Sequence, residues 1–393
     1  WNHFALGEIT ELVIDYRGKT PKKLGGDWCK QGYRALSAKN IKTGRIVQAE
    51  TIRYIDESLY RKWMKDEVQR GDILITSEAP FGQIFFWDSD EKIVLSQRLF
   101  CVRIKPEYDA RFIYYYMTTP EFQSELDGRA TGTTVIGLRQ PELMKCIIRC
   151  PEIQEQKVIA AILSSIDAKI IANEKVNDNL YAQAKAIFDN HFINIDAIPA
   201  GWRKGNLLDI ANYLNGLAMQ KFRPQGHEIG LPVLKIKELR QGSCDDSSEL
   251  CSLSIKPEFI IHNGDVVFSW SGSLLVDIWC GGTCGLNQHL FKVTSDVYDK
   301  WFYYLWTAHH LARFIAIAAD KATTMGHIKR EELAKAEILI PCEEDYTSFN
   351  SIMQPIFELI ISNRIESRKL AALRDELLPK LMTGEIDVSD VQF

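Results

Sequence analysis

Several groupings in the 393-residue sequence hold side chains that could do chemistry. Cys280 and Cys284 are spaced as CxxxC with His289 close behind, which is a conceivable zinc site. Cys146 and Cys150 share that spacing. Yet nine cysteines at irregular intervals, with no CxxC, read more simply as reduced thiols in small core positions, and no metal is expected. Pro151-Glu152-x2-Glu155-x-Lys157 has the acid, then acid-x-Lys, order of metal-dependent nucleases, but acids at a helix start also satisfy its open amides and dipole. Asp245-Asp246 lacks companion ligands and reads as surface. Gly281-Gly282-Thr283-Cys284-Gly285 reads as a turn between strands. No GxxxxGK[ST], HExxH, GxSxG, helix-opening GxGxxG or Asn/Asp-Pro-Pro-aromatic motif occurs. No catalytic residue is assigned.

Charge gives a stronger signal. The net charge of -5 divides as +3 over residues 1–150, -3 over 151–200, 0 over 201–341 and -5 over 342–393. Within the first block, Arg17 to Arg53 holds ten basic residues against only Asp27 and Glu50, a surface suited to anions.

The elements that must carry these residues are repeated. Trp1-x4-Leu6-Gly7-Glu8-Ile9 returns as Trp202-x4-Leu207-Leu208-Asp209-Ile210, and Leu36-x2-Lys39 as Leu234-x2-Lys237. Gly71-Asp72-Ile73 matches Gly264-Asp265-Val266, and Leu95-Ser96-Gln97-Arg98-Leu99-Phe100 matches Leu286-Asn287-Gln288-His289-Leu290-Phe291. Tyr114-Tyr115 pairs with Tyr303-Tyr304, and Thr133-Thr134 with Thr323-Thr324. Residues 1–150 and 201–341 carry short apolar runs between turns, among them 72–76, 85–87, 99–102 and 266–268, and so read as strand-rich. Helices are predicted at 110–118, 120–126, 299–308 and 311–319.

Two long helices follow the repeats. No Gly or Pro occurs from Ile153 to Phe192. Ile159, Ile166, Asn173, Leu180 and Ile187 recur every seventh residue, as do Phe349, Ile356, Asn363, Leu370 and Leu377. Ile162, Val176, Ile352, Leu359 and Leu373 supply a partner column. Pro355 and Pro379 predict a kink or broken end in the second helix. The fold class is α+β: two similar strand-rich domains joined by two long antiparallel coiled-coil helices with pseudo-two-fold symmetry. The expected boundaries are 1–150 and 198–341 for the strand-rich domains, 151–197 and 342–386 for the helices, and 387–393 for a tail. Forty helical residues span ~60 Å.

The 393-residue length suits two or three domains, and 46% hydrophobic residues suffice for real cores. No apolar run approaches the ~20 residues of a membrane span and no signal peptide opens the sequence, so a cytoplasmic protein is expected. Trp1 in place of Met suggests that a few residues precede it.

Two strand-rich blocks, each followed by a near-duplicated helix, resemble the specificity subunits of type I restriction-modification enzymes over essentially the whole chain. The most specific segments are Cys150-Pro151-Glu152-Ile153-Gln154-Glu155-Gln156-Lys157-Val158-Ile159 and the run from Leu373 through Leu378-Pro379-Lys380 to Gly384-Glu385-Ile386. The second helix entry, Pro341-Cys342-Glu343-Glu344-Asp345, departs from the Glu-Gln-Lys form. The resemblance implies a non-catalytic chain in which each domain reads half of a bipartite, asymmetric double-stranded DNA site. It also implies two methyltransferase subunits docked on the helices and two motor-nuclease subunits beyond them. S-adenosylmethionine, ATP and Mg would then sit on those partners rather than here. A DNA-binding scaffold or regulator without methyltransferase partners is the alternative.

A DNA reader needs phosphate clamps and base readers. The clamps expected are Arg17, Lys19, Lys22, Lys23 and Lys39 in the first domain, and Lys221, Arg223, Lys235 and Lys237 in the second. The readers expected are Gln97 and Arg98, Gln288 and His289, with Thr133, Thr134, Thr323 and Thr324 nearby. A second loop pair, Thr76, Ser77 and Gln83 with Ser269, Trp270, Ser271 and Ser273, is also a candidate, while Gln97 and Gln288 have an equally ordinary reading as backbone-bonding residues. Asn173 and Asn363, near the helix midpoints, are expected to meet in the seam and fix its register.

Overall fold

The computed structural model describes residues 1–132, 135–320, 327–389 and 391. It divides into two compact units, Trp1–Asp167 with Ala372–Phe393 and Ala168–Ala371, called unit 1 and unit 2 below.

The repeat in sequence is a repeat in topology. Unit 1 has an antiparallel sheet in the order Thr10–Asp15, Leu99–Ile104, Ile73–Thr76, Ile84–Phe86. Unit 2 has Asn212–Asn215, Leu290–Thr294, Val266–Ser269, Leu275–Ile278 in the same order. Each unit adds a strand pair, Asn2–Ala5 with Ile147–Cys150 and Arg203–Asn206 with Glu337–Ile340. Each also has a parallel contact, Tyr33–Leu36 with Ile93–Leu95 and Leu231–Leu234 with Cys284–Leu286.

The apolar runs follow from where those strands sit. Ile73 and Ile75 enter one core of unit 1, and Leu74 enters the other. Val266 and Phe268 divide from Val267 between the two corresponding cores of unit 2. Successive side chains of a strand face opposite ways, so a strand covered on both faces reads as unbroken hydrophobic sequence.

The Gly-Asp motif before each of these strands is structural. Gly71 and Gly264 turn the chain at φ +97° and +88°. Asp72, 1% exposed, accepts from the Gln69 amide at 2.8 Å and from Arg103 Nε and Nη2, both at 2.9 Å. Asp265 accepts from the His262 amide at 2.8 Å and pairs with Lys292 at 2.9 Å. The acids of the N-terminal repeat motif act similarly. Glu8 and Asp209 accept from the Ala5 and Asn206 amides at 2.6 and 2.8 Å, capping the short helices Leu6–Ile9 and Leu207–Ile210.

The two long helices are Ile153–Phe188, followed by a π-type turn Asp189–Ile193, and Glu343–Thr383. Of the kink or broken end expected at the prolines, the broken end does not occur, since the second helix runs through both Pro355 and Pro379. A helical proline costs about 3 kcal/mol or more. Burial of Met353, Phe357 and Ile360 near Pro355, and of Leu381 and Met382 near Pro379, offsets that cost at about 1.5–3 kcal/mol per side chain. The partner column is also corrected: Val176, Ile352, Leu359 and Leu373 are 44–51% exposed. The helices bury residues on their own globular neighbours, with Ala184, Phe188 and Phe192 in the unit 2 core and Val158, Ile159 and Leu163 in the unit 1 core. The predicted helices 299–308 and 311–319 are one helix, Lys300–Asp320, because nothing between them breaks it. Its His310 Nε2 meets the Glu337 carbonyl at 2.8 Å and its Thr307 hydroxyl meets Tyr213 at 2.7 Å.

Candidate nucleic-acid interface

The basic segment of unit 1 folds as strands and short turns around Tyr33–Leu36, with a hairpin Ile41–Lys42/Arg45–Ile46. The amide and hydroxyl of Thr43, in the turn of that hairpin, both donate to Gln83 Oε1, at 3.0 and 3.3 Å. Gln83 therefore positions the hairpin through its carbonyl oxygen.

The expected clamps divide into two kinds. Arg17 is bidentate to Asp15 and lies 4.1 Å over the Phe100 ring, and Lys19 donates to the Trp63 carbonyl at 2.6 Å, burial pulling its pKa down. Both are tied into the fold. Lys23 reaches only the Gly18 carbonyl, at 2.8 Å. Lys22 and Lys39 are exposed and make no side-chain hydrogen bond or ion pair among the described residues. Lys42 and Arg45 are exposed on the hairpin and Arg53 on the strand Arg53–Ile55, and none of the three is among the expected clamps. Their signal in the sequence was the run of ten basic residues against two acids.

Unit 2 handles its cations differently. Glu249 pairs with both Arg223 at 2.8 Å and Lys235 at 2.5 Å, and the cations hold its carboxyl below the ordinary range. Lys237 donates to Ser247 at 2.9 Å and lies 3.6 Å from Asp245. Of the four clamps expected there, only Lys221 lacks a side-chain partner among the described residues.

The loop pair beside the central strands is mostly structural. Thr76, Ser77, Ser269 and Ser271 are at most 4% exposed. Thr76 Oγ1 accepts from the Gln83 amide at 2.8 Å, and Ser269 Oγ donates to the Ser271 and Ser273 carbonyls at 3.2 and 3.0 Å. These residues are corrected as direct readers, since their hydroxyls are enclosed by the fold; Ser273 itself is exposed. Trp270 donates to Asn215 at 2.9 Å.

The other pair of reader positions comes together in both units. Gln97 and Arg98 are exposed, and Arg98 stands in the left-handed region at φ +65° with its Nε 3.0 Å from Glu78. At the matching positions of unit 2, Ser271 Oγ meets His289 Nδ1 at 2.9 Å. The backbone agrees too, with the Ser77 amide donating to the Arg98 carbonyl at 2.9 Å and the Trp270 amide to the His289 carbonyl at 3.4 Å. Gln288 differs from Gln97: it is half-buried, and its Oε1 has no partner. Thr133, Thr134, Thr323 and Thr324 lie outside the described residues.

Comparison with known proteins finds similar chains. Residues 1–181 match the model described as "Type I restriction modification DNA specificity domain". The chain is 26% identical over 82% of its length, and 79% of the relative's, to the type I restriction enzyme MjaIX specificity subunit of Methanocaldococcus jannaschii. These matches make the chain similar to type I restriction-modification specificity subunits. The HindI specificity subunit of Haemophilus influenzae is 19% identical over 82% of this chain and 88% of its own length. The crystal structure of a type I system S subunit from M. genitalium shares the fold, with a TM-score of 0.58 at 15% identity, covering 97% of this chain and 96% of that one.

The helix seam is held by polar contacts other than the one expected. In unit 2, Asn173, 4% exposed, donates to Glu366 at 2.7 Å and Ser367 at 3.3 Å, and Asn363 donates to Asn177 at 2.9 Å. The Asn173–Asn363 pair is therefore corrected. With 177 facing 363 in an antiparallel pair, 173 falls one turn farther along, at 366–367. Glu366 binds both Asn173 and Lys169, contacts that hold its carboxyl below the ordinary range. In unit 1, Asp167 accepts from Arg374 at 2.7 Å and Tyr115 at 2.6 Å.

The residues first read for chemistry fall into structural places. Gln156, between Glu155 and Lys157, is buried, accepts from the Asp109 amide at 3.0 Å and donates to the Pro151 carbonyl at 2.8 Å. Asp245 accepts from the Ser247 amide at 2.9 Å and closes a surface loop. A hydrogen bond with Cys244 lifts the Cys284 thiol far above its ordinary range. Among the described residues, no group of three or more His, Cys, Asp or Glu is placed to hold a metal. No helix among them is long and apolar enough to cross a membrane.

Proposed function

We propose that this chain is the specificity subunit of a type I restriction-modification enzyme and works in the cytoplasm. Residues 1–150 and 198–341 are its target-recognition domains, each reading one half of a bipartite, asymmetric site in double-stranded DNA. Residues 151–197 and 342–386 are the spacer helices, with 387–393 as a tail. Two methyltransferase subunits dock on the helices and two motor-nuclease subunits join them. The chain itself is non-catalytic, and S-adenosylmethionine, ATP and Mg are bound by the partners.

The observation that carries this reading is the same sheet order in both units with different chemistry at matching reader positions, Gln97-Arg98 with Glu78 against Gln288-His289 with Ser271. One scaffold used twice with different polar groups suits two different half-sites, because base identity is read by donors and acceptors at base edges. Ile171, Val176, Ile352 and Leu359, all half-exposed apolar residues on the long helices, support a protein-docking role there. Methylome sequencing of the host with and without the gene tests the reading. A bipartite motif that vanishes with the gene is expected, together with co-purification of a methyltransferase. An unchanged methylome with the chain recovered alone would favour a scaffold or regulator.

A further inference from the structure

Unit 1 contains a cavity of about 130 Å³ lined by Trp28, Ser37, Lys39, Arg53, Ser96 and Gln97 among others, and no carboxylate lines it. Its walls are fixed from behind. The Ser96 amide donates to the Leu36 carbonyl at 2.8 Å and the Ala38 amide to the Gln97 carbonyl at 3.1 Å, joining the two segments that form it. Asn40, 1% exposed, accepts from Ser37 Oγ at 2.9 Å and donates to Thr51 Oγ1 at 3.0 Å. Trp28 lies 6.3 Å from Trp63, which is anchored by donating to the Leu95 carbonyl at 3.1 Å. The Arg53 guanidinium rests 5.2 Å from the Trp28 ring centroid, so its plane is oriented before any ligand arrives.

Two cations without an acidic neighbour, one of them stacked in place, make a cavity for an anion. We propose that it seats one phosphate group of a DNA strand, held by Lys39 and Arg53. The proposal rests on the reading of this chain as a DNA-recognition subunit. A phosphate suits the cavity better than an unstacked base, because Arg53 already covers a face of Trp28. The seat is particular to unit 1: Lys237, which stands for Lys39 in the second repeat, is engaged by Ser247 and Asp245.

The test uses the full chain and a random-sequence duplex pool, with binding followed by anisotropy across a salt series and the bound pool sequenced. Combined Lys39→Ala and Arg53→Ala should weaken binding for all sequences alike and lower the slope of log K against log salt by about 1. Arg53→Lys should keep the slope while losing part of the affinity, since it retains charge and loses the stacked fork. Lys62→Ala, an exposed lysine outside the cavity, should leave the slope unchanged. Wild-type binding and slope in the double variant would overturn the seat, and so would a loss confined to particular sequences, which would assign the cavity to base reading. If the wild-type chain binds no duplex, alone or with its methyltransferase, the parent reading falls, a result distinct from either of these.

Discussion

Unit 1 holds its central turn with a bidentate Arg103–Asp72 pair and leaves Lys22, Lys39, Lys42 and Arg45 unengaged, whereas unit 2 uses a single Lys292–Asp265 contact and ties up Arg223, Lys235 and Lys237 with Glu249 and Asp245. The sheets are alike, so these differences are matters of side chain on a shared frame. Sheet order depends on which strands bury two faces, and Ile73–Thr76 and Val266–Ser269 keep that property through divergence. Surface charge answers to the partner, and is free to differ. The lesson is that the repeat preserves the frame and varies what the frame presents.

The largest effect that would sharpen the contrast is on stability. Arg103→Met leaves Asp72 buried without its ion pair and should cost about 3–5 kcal/mol in urea unfolding of unit 1. Lys292→Met should cost distinctly less, because Asp265 is 21% exposed and can draw on water. Equal costs would mean that the two turns are braced alike.

Next comes the helix seam of unit 2. Asn173→Leu leaves Glu366 without its amide donor and Asn363→Leu leaves Asn177 without its own, each an expected drop in denaturant midpoint. An unchanged midpoint in both would show that these polar contacts do not hold the seam.

A pH difference should also separate the units. Burial pushes His310 in unit 2 down to about 4, below its unfolded value of about 6.5. Its folded form is neutral, so the unfolded chain binds the extra proton between those values. Its contribution is therefore intact above pH 6.5 and is lost as the pH falls toward 4. Hydrogen exchange across Lys300–Asp320 should quicken over that window, and His310→Gln should flatten the dependence. Equal acceleration in the variant would remove His310 as the cause.

The smallest effect belongs to the exposed helix column. Ile352→Ser or Leu359→Ser should change stability by within about 0.5 kcal/mol, while a pull-down with the methyltransferase should weaken. A large stability loss would restore the buried seam expected from the heptads.

These results show what was legible in the sequence. The repeat, the strand-rich blocks and both long helices followed from Gly-Asp turns, apolar runs and helical spacing. The partner column misled because Ala184, Phe188 and Met353 turn the helices toward the globular cores, a demand that spacing within one helix does not reveal. The prolines do not end the helix because tertiary burial outweighs a local hydrogen-bond loss. At the interface, Gln97 and Arg98 were found at exposed positions, but Thr76 and Ser269 look identical in sequence to readers and are enclosed by their own turns. The Glu78–Arg98 and Ser271–His289 bridges were hidden because one partner of each lies on a different strand connection. Arg53 and Trp28, distant in sequence, meet only after folding.

The central claim is that the two repeats read DNA independently. Its most direct test exchanges residues 1–150 for the equivalent block of a relative, co-expresses the hybrid with the methyltransferase, and sequences the resulting methylome. The account predicts a new sequence in one half-site with the other half unchanged. A change in both halves at once would contradict it.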